Sequence, residues 1–443
     1  METALRALNR FGLGARIGER RRIDDPKAWV RAQLDGAPPA IAAPPAGSPS
    51  ALGDAIRAFR GAGRQTPAQR QQLRRRLVDI AAQESVAALS LRVTTDRPFV
   101  ERLVAFWSNH LCVSTAAKVL VAPLAGSYER EAIRPHVLGR FEDMVLASAK
   151  HPAMLAYLDN FQSIGPESRA ALRARWRVRR GLNENYAREL LELHTLGVNG
   201  GYTQQDVLEL AKMLTGWTIG AFTGGSSGFM FDPLRHEPGT RAVLGKKYGE
   251  AGIEQGERAI RDLCRHPSTA TFIATKLVTH FAADQPPPAA VERIATVFRR
   301  TDGDLREVSN ALIDLPDAWS SEARKFRTPQ DWLVAVLRTF GMTDPDVRLI
   351  NALRQLRQPL WSPQAPKGFG DTTQEWADPD SLLNRAELAR TLVRRVTRQE
   401  PGELVDVVDI PAGDPLRSLL SDRSVPAGDR LALAIAGPLF QWR

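Results

Sequence analysis

Apolar residues recur every three or four positions along most of this chain, and that spacing predicts a largely helical protein. The clearest instance follows Pro98, where one stripe is made of Phe99, Leu103, Phe106, Trp107 and His110. Because successive helical residues are about 100° apart, these five positions share one face. We therefore predict an all-α, multi-helix body in which His110 points into the interior.

The periodic pattern changes character between residues 220 and 249. Short apolar runs there alternate with Gly and Pro, which predicts a small β-hairpin. Before it, residues 181–196 show a helical pattern of their own, and the spacing of Thr203 and Asp206 is that of a capping box that starts the next helix. We therefore predict one excursion of β-structure in an otherwise helical chain.

A stretch rich in Pro and Ala marks the clearest boundary in the chain. Such a composition is typical of linkers, because it favours extended conformations. We predict an N-terminal helical segment at 1–36, a linker at 37–50, a main helical body at 51–443 and, within that body, a candidate functional core at 98–280 and a C-terminal helical part at 325–443.

The composition is that of a folded protein, with 443 residues of which 43% are hydrophobic and 25% charged. No apolar run approaches the roughly 18 residues of a membrane-spanning helix, and the first residues lack the layout of a secretion signal. Cys112 and Cys264 lack the spacing of a zinc ribbon or a redox pair. These observations predict a soluble, cytoplasmic chain without a membrane span, and export together with a signal-bearing partner is the alternative.

A formal charge of +10 raises the question of an anionic partner. Arg supplies 51 of the 60 basic residues, and it clusters at 70–76 and at 169–180. A solvated surface accounts for such clusters better than a nucleic-acid stripe does, because no nucleic-acid-binding motif accompanies them. We therefore disfavour a nucleic-acid partner and expect an anionic substrate beside Arg180, where the second cluster precedes the predicted helix at 181–196.

The candidate chemistry lies in the middle of the chain, where all seven histidines fall between residues 110 and 280. Histidine is a common general acid or base near neutral pH and a frequent metal ligand. The strongest local feature is an acidic helix in which Asn185, Glu189 and Glu192 share one face at spacings of four and three. His194 points away from that face, so this helix alone cannot bring both carboxylates and the imidazole onto one ion.

Two interpretations of the acidic face remain open. If it is solvated, it is an ordinary outer surface, on which Glu184 and Arg188 form an ion pair at i and i+4. If it is buried, its carboxylates need cations or histidines from neighbouring helices and are candidates for a general base or for metal ligands. A divalent metal is therefore one candidate cofactor, and the sequence identifies none.

The second interpretation defines a set of candidate site residues. Those for catalysis are Glu189, Glu192, His110, Glu184 and His194. Those for substrate binding are Asn160, Asn185, Asp159, His136, His236, Trp217 and Arg180. Because His236 falls in the predicted turn, we expect it to be exposed and to belong to a lid.

Long motifs stand in order along the chain. The longest are Glu101-Arg-Leu-Val-Ala-Phe-Trp-Ser-Asn-His110, His151-Pro-Ala-Met-Leu-Ala-Tyr-Leu-Asp-Asn160 and Gly181-Leu-Asn-Glu-Asn-Tyr-Ala-Arg-Glu-Leu-Leu-Glu-Leu-His-Thr-Leu-Gly197. Together they resemble the large, uncharacterised bacterial domain-of-unknown-function family 1800, from about Ala4 to the final helices. The resemblance implies a mostly helical fold and no established reaction.

The resemblance has two further implications. It suggests a companion protein from the domain-of-unknown-function family 1501, a sulfatase- or phosphatase-like group that often bears an export signal. The family motif is Trp-His-Asn-His, and in this chain Ser108 replaces its first histidine. A metal scheme that uses that pair of histidines is therefore weakened here.

Two functions follow as hypotheses. In the first, the acidic helix packs against the His110 helix and the Asp159-Asn160 turn, and the pocket performs general acid–base or metal-assisted hydrolysis on a polar, anionic substrate. In the second, the same polar groups form a structural network, and the protein is a non-catalytic binding or assembly module for a companion protein. The sequence leaves both open.

Overall fold

Helices make up most of the protein in the computed structural model, which confirms the all-α prediction. The structure describes residues 2–47, 49–61, 66–173, 181–222, 228–320, 324–396 and 399–443. The α-helices in this part of the chain are α1 Glu2–Arg6, α2 Pro26–Ala32, α3 Pro49–Arg60, α4 Pro67–Thr94, α5 Pro98–His110, α6 Ala125–Tyr128, α7 Phe141–Lys150, α8 Pro152–Tyr157, α9 Arg169–Arg173, α10 Asn185–Glu189, α11 Gln204–Met213, α12 Ile253–Arg265, α13 Pro267–Phe281, α14 Pro288–Arg300, α15 Leu305–Ile313, α16 Pro329–Thr339, α17 Val347–Gln355, α18 Thr373–Trp376, α19 Pro379–Val393, α20 Pro415–Ser421 and α21 Ala427–Ala436.

Short turns of other helical types extend or connect these helices. The π-helical segments are Ala7–Phe11, Glu129–Ile133 and Leu190–Thr195. The 3-10 segments are Glu19–Arg22, Pro45–Gly47, Ala122–Leu124, Arg134–His136, Asn160–Gln162, Gly220–Phe222, Pro316–Trp319, Pro401–Asp406 and Pro438–Gln441. No helix among the described residues has both the length and the apolar character needed to cross a membrane.

The β-structure among the described residues forms two small antiparallel pairs, and three of its four strands lie within the predicted stretch 220–249. Strand β1, Trp217–Ile219, pairs with β2, Phe229–Phe231. Strand β3, Arg241–Val243, pairs with β4, Lys246–Tyr248. The predicted β-structure is therefore present, but the described residues form two strand pairs instead of one hairpin, and the first pair includes β1, which precedes residue 220.

The predicted helix at 181–196 is shorter and less regular than its pattern suggests. Helix α10 begins only at Asn185, and the chain continues as the π-helical segment Leu190–Thr195. In that segment the Leu196 amide donates to the Leu191 carbonyl five residues back, at 2.9 Å. A π turn accommodates one more residue than an α turn, and such turns are frequent at functional sites.

The N-terminal residues pack against helices from the middle of the chain. Phe11 is fully buried, and its ring stacks on Trp319 at 4.8 Å and on Phe281 at 5.7 Å. It also meets Phe99 edge-on at 5.5 Å, so the N-terminal segment contacts both α5 and α13. The division of the chain into segment, linker and body remains a prediction.

The capping box at the start of α11 is confirmed. The Thr203 side chain accepts a hydrogen bond from the Asp206 amide at 3.2 Å, and the Asp206 carboxylate accepts one from the Thr203 amide at 2.8 Å. We expect Thr203→Ala to lower the free energy of unfolding by about 1 kcal/mol, because it leaves a helix N-terminal amide without its partner. Urea unfolding measures this change, and an unchanged midpoint in the variant would contradict it.

Candidate functional site

A cavity of about 280 Å³ opens between helices α5 and α13. Its other walls are the first turn of α16 and the irregular segment 358–371. Asn109 connects that segment to α5 by two hydrogen bonds. Its Nδ2 donates to the Phe369 carbonyl and its Oδ1 accepts from the Phe369 amide, both at 2.8 Å. The cavity wall is therefore assembled from parts of the chain that lie far apart in sequence.

On each of the two helices, several side chains that line the cavity are spaced four residues apart. Arg102, Phe106 and His110 occur every fourth residue on α5, and Lys276 and His280 have the same spacing on α13. Residues four apart lie on one helical face. The rings of Phe106 and His280 meet at 5.3 Å, which shows that these two faces oppose each other.

His110 is buried and uses both of its ring nitrogens. Its Nε2 lies 3.1 Å from the His194 carbonyl, and its Nδ1 lies 3.0 Å from Lys276 Nζ. A carbonyl can only accept, so Nε2 carries the hydrogen and Nδ1 accepts from the lysine. Burial, followed by the nearby charge of Lys276, holds the pKa of His110 well below its ordinary value. His110 is therefore a neutral imidazole whose lone pair faces Lys276.

Lys276 brings an amine into the cavity without a carboxylate beside it. Among the described residues, no Asp or Glu oxygen lies within 4.0 Å of its Nζ, which contacts His110 Nδ1 and lies 5.6 Å from the centre of the Phe272 ring. Asp371 acts on the amine only from a greater distance. Burial lowers the pKa of Lys276 to about 8. Near neutral pH this group can therefore both donate and accept a proton.

A network of charges closes the other end of the cavity. His280 Nδ1 donates to Asp371 Oδ2 at 2.5 Å, and Arg102 Nη1 lies 3.2 Å from both oxygens of Asp331. Arg443 Nε lies 3.2 Å from Asp331, and its Nη2 lies 3.7 Å from Asp371. Burial alone would raise the pKa of Asp371, but His280, Lys325 and Arg443 lower it far below its ordinary range. Asp371 therefore fixes the His280 ring with Nε2 as the acceptor.

Ser108 lies on the cavity wall. Its hydroxyl donates to Glu129 Oε2 at 3.2 Å, and Trp361 Nε1 donates to the same oxygen at 2.9 Å. Glu129 also pairs with Arg92 at 3.1 Å and with Arg134 at 3.0 Å. Because these donors already satisfy Glu129, its carboxylate serves to hold the wall together.

Cys112 also borders the cavity, but it is poorly suited to act as a nucleophile. Burial raises the pKa of its thiol to about 12, and its Sγ lies 3.1 Å from the Pro366 carbonyl. The thiolate is the reactive form of cysteine. At neutral pH this side chain is therefore an unreactive thiol.

The acidic residues of the 181–196 segment do not line the cavity that contains His110. Glu192 accepts from the Tyr202 hydroxyl at 3.1 Å, and Glu189 is half-buried. Glu184 pairs with Arg188 at 3.6 Å, as the spacing predicts, and Asn185 is exposed. The described contacts therefore bring His110 together with Lys276 rather than with either glutamate.

The ionised carboxylate of Glu189 nevertheless disfavours the folded state. Burial, together with the neighbouring charge of Glu192, raises the pKa of Glu189. A carboxyl whose pKa is raised on folding opposes folding once it is ionised, so Glu189→Gln should stabilise the protein by about 0.5 kcal/mol at neutral pH. The gain should vanish below about pH 4, where the carboxyl is protonated in both states.

Urea unfolding at two pH values tests this, with the exposed Glu387→Gln as the matched control. A loss of stability in Glu189→Gln would show that the carboxylate has a favourable partner.

His194 contributes to the site through its main chain. Its carbonyl accepts from His110, while its own ring is buried and its Nε2 has no described partner. Burial, followed by the charge of Lys276, lowers the pKa of His194 to about 3. The ring therefore stays neutral, and its position follows from the π turn that contains it.

The Asp159-Asn160 turn lies away from the described cavity lining. Asn160 is buried, and its Nδ2 donates to the Leu214 carbonyl at 3.1 Å and to the Trp217 carbonyl at 3.3 Å. Asp159 pairs with Lys118 at 2.6 Å, and Trp217 is a fully buried core residue. Asn160 therefore holds β1 against the helical body.

The remaining candidates are also outside the described cavity lining. The expected exposure of His236 is wrong, because its ring is buried against Phe231 at 5.2 Å and its Nδ1 donates to the Thr215 carbonyl at 3.0 Å. His136 is half-buried in a 3-10 turn, and burial lowers its pKa. Arg180 lies outside the described residues.

The donor set around the cavity does not form a metal centre among the described residues. No group of three or more His, Cys, Asp or Glu side chains in that part of the chain is arranged to hold an ion. Both nitrogens of His110 are engaged, and the carboxylates of Asp331 and Asp371 face Arg and His side chains. The described site therefore offers acid–base groups rather than a ligand set.

Four polar residues of the cavity lining were not predicted from the sequence, namely Lys276, Asp371, Arg102 and Asp331. One signal was available, because the chain has only nine lysines and Lys276 stands four residues before His280 in a helix that has no Asp, Glu, Arg or other Lys. Asp371 gave no such signal, since its segment has no periodic pattern. Its proximity to His280 follows only from the fold.

Comparison with known proteins places this chain in a family. No curated protein and no solved structure matches it. The model of the family described as "Protein of unknown function (DUF1800)" matches residues 6–434, nearly the whole chain and all of the cavity lining. The chain therefore belongs to this family of proteins of unknown function, DUF1800.

Proposed function

We propose that this protein is a hydrolase-like enzyme that performs general acid–base chemistry on a small, polar, anionic molecule in the cavity between α5 and α13. The observation that carries the proposal is the 3.0 Å contact between Lys276 Nζ and His110 Nδ1 at the cavity wall. A proton donor and a proton acceptor are thereby held together where a bound molecule would meet them.

The charges of the lining favour an anionic molecule. The charges of Asp331 and Asp371 are offset by Arg102, Arg443 and Lys325, whereas burial lowers the pKa of His280 to about 4 and leaves its ring neutral near pH 7. Lys276 and the exposed Lys367 also line the cavity, and among the described residues neither makes an ion pair. Their positive charge is therefore available to a ligand.

Each polar group has a role in this proposal. Lys276 holds the anionic group and transfers a proton, while His110 accepts from the lysine and keeps it oriented. Asp371 is a positioning residue, because it orients His280. Glu189 and Glu192, which the sequence suggested as bases, lie outside this lining and take no part in the proton transfer.

The pH dependence of anion binding tests the role of Lys276. Burial lowers the pKa of Lys276 to about 8. Only the protonated amine attracts an anion, so the affinity for inorganic phosphate should fall about tenfold per pH unit above about pH 8. Calorimetric titration of the whole protein with phosphate measures this fall.

A phosphate affinity that does not change with pH would contradict the proposal. Turnover is tested separately with p-nitrophenyl esters of carboxylic and phosphoric acids. Binding without turnover of any ester would favour the second function, a non-catalytic binding module.

A further inference from the structure

We propose that Lys276 Nζ is a nucleophile that forms an imine with the carbonyl carbon of an aldehyde or ketone. The molecule that enters the cavity would then carry a carbonyl group beside its negative charge. This inference rests on the proposed function, since it uses the same cavity and the same contact with His110, and it adds the chemical class of the substrate.

The chain has nine lysines, and all of them lie in the described residues. Lys276 differs from the other eight. Five lysines form ion pairs with carboxylates, namely Lys118, Lys150, Lys212, Lys246 and Lys325. Three are exposed, namely Lys27, Lys247 and Lys367. Lys276 alone is turned inward with no carboxylate within ion-pair distance among the described residues.

The comparison with Lys325 shows what this difference means. Lys325 is buried, and it pairs with Asp284 and donates to the Asp371 carbonyl at 2.6 Å. Burial lowers the pKa of Lys325 as well, but Asp284 and Asp371 act in the opposite direction and favour its charged form. Lys276 faces the neutral imidazole of His110, and burial lowers the pKa of Lys276 to about 8. A neutral amine, which is the nucleophilic form, is therefore accessible near neutral pH.

The position of His110 suits the proton transfers that imine formation requires. The neutral amine attacks the carbonyl carbon, the new N–C bond forms, and the π electron pair moves to the oxygen. His110 Nδ1, whose lone pair faces the amine, accepts the proton that nitrogen loses and returns it to the oxygen. The second N–H proton takes the same route to the hydroxyl, which leaves as water as the N=C bond forms, so amine and carbonyl are converted into imine and one water without any oxidant or reductant.

The cavity has room for a small molecule of this class. Its volume of about 280 Å³ lies at the lower end of the range for ligand pockets. Lys367, on the wall formed by the segment 358–371, is a second cation, which suits a carboxylate or phosphate on the substrate. Small oxo acids and anionic aldehydes therefore combine the two features that the cavity selects.

Reductive trapping tests the proposal with glyoxylate as the probe. The full-length protein is incubated with glyoxylate and cyanoborohydride near pH 8, and peptide mass spectrometry locates the carboxymethyl-lysines. We expect Lys276 to be labelled at least tenfold faster than the exposed Lys247, and inorganic phosphate to slow that labelling. Labelling of Lys276 no faster than that of Lys247 would overturn the imine.

Two variants separate this inference from the proposed function. Lys276→Arg keeps the positive charge but cannot form a trapped imine, so it should bind phosphate and lose the specific label. Lys247→Met, at an exposed lysine, should keep both properties. If the wild-type protein binds phosphate with the expected pH dependence but shows no preferential labelling, the imine is wrong and the proposed function stands. If phosphate neither binds nor protects Lys276, both are wrong.

Discussion

Replacing Asp331 with asparagine is expected to destabilise the protein by about 3–5 kcal/mol, the usual cost of removing one partner from a buried ion pair. The Asp331 carboxylate lies 3.2 Å from Arg102 Nη1 and 3.2 Å from Arg443 Nε. It also offsets the charges of Arg327 and Arg385. Burial lowers the pKa of these two arginines to about 9 and about 10, and Asp331 acts in the opposite direction. Without it, several buried guanidinium groups lose their counter-ion.

The pH dependence of that change has a definite sign. Burial alone would raise the pKa of Asp331, but Arg102 and Arg443 outweigh it and lower the pKa to about 2. Its contribution to stability is therefore present above about pH 4, the ordinary value, and is lost as the pH falls towards 2. The difference between wild type and Asp331→Asn should shrink over that interval.

Denaturant unfolding of both proteins measures the difference. Asp344→Asn is the matched control, because it removes the same charge from an exposed position and should change stability by less than about 0.5 kcal/mol. An Asp331→Asn variant as stable as this control would show that the arginine cluster does not need the carboxylate.

Replacing Lys276 with methionine should abolish phosphate binding and stabilise the protein at the same time. The pKa of Lys276 is about 8 in the folded protein and about 10.4 in an unfolded chain, so its charge opposes folding. The full difference corresponds to about 3 kcal/mol, and contact with solvent in the cavity reduces our expectation to about 2 kcal/mol. Methionine has a similar length and carries no charge.

The direction of the pH dependence again follows from the pKa of Lys276. Because this pKa is lower in the folded protein, the charged amine destabilises the fold to the full extent below about pH 8. The destabilisation disappears as the pH rises towards about 10.4. The advantage of Lys276→Met in thermal unfolding should therefore be lost over that range, whereas Lys247→Met should show no advantage at any pH. A Lys276→Met variant less stable than wild type at neutral pH would mean that the amine has a favourable partner in the fold.

Local features of the sequence predicted much of the helical structure. The stripe that ends at His110 is buried as expected, and the helix starts at Pro98 and Thr203 are correct because their signals depend on nearby residues only. His236 shows the limit of such reasoning. A turn residue is expected to be exposed, but the pairing of β1 with β2 brings Phe231 over its ring.

The candidate site was only partly predictable for a related reason. His110 was found because a polar residue at the end of an apolar stripe has to find a buried partner. The acidic helix suggested Glu189 and Glu192 as that partner, since they form the strongest local cluster. The partner in the structure is Lys276, which is 166 positions away, and only the packing of α13 against α5 brings them together.

The π-helical segment Leu190–Thr195 constrains how this chain can change in length. A π turn is equivalent to an α-helix with one residue inserted, so deleting one residue there would restore regular α geometry. The residues after the deletion would stay in phase with those before it, but the carbonyls inside the turn would move. The His194 carbonyl would then leave His110 Nε2. Single-residue deletions in this segment should therefore be far less tolerated than deletions in the neighbouring loops.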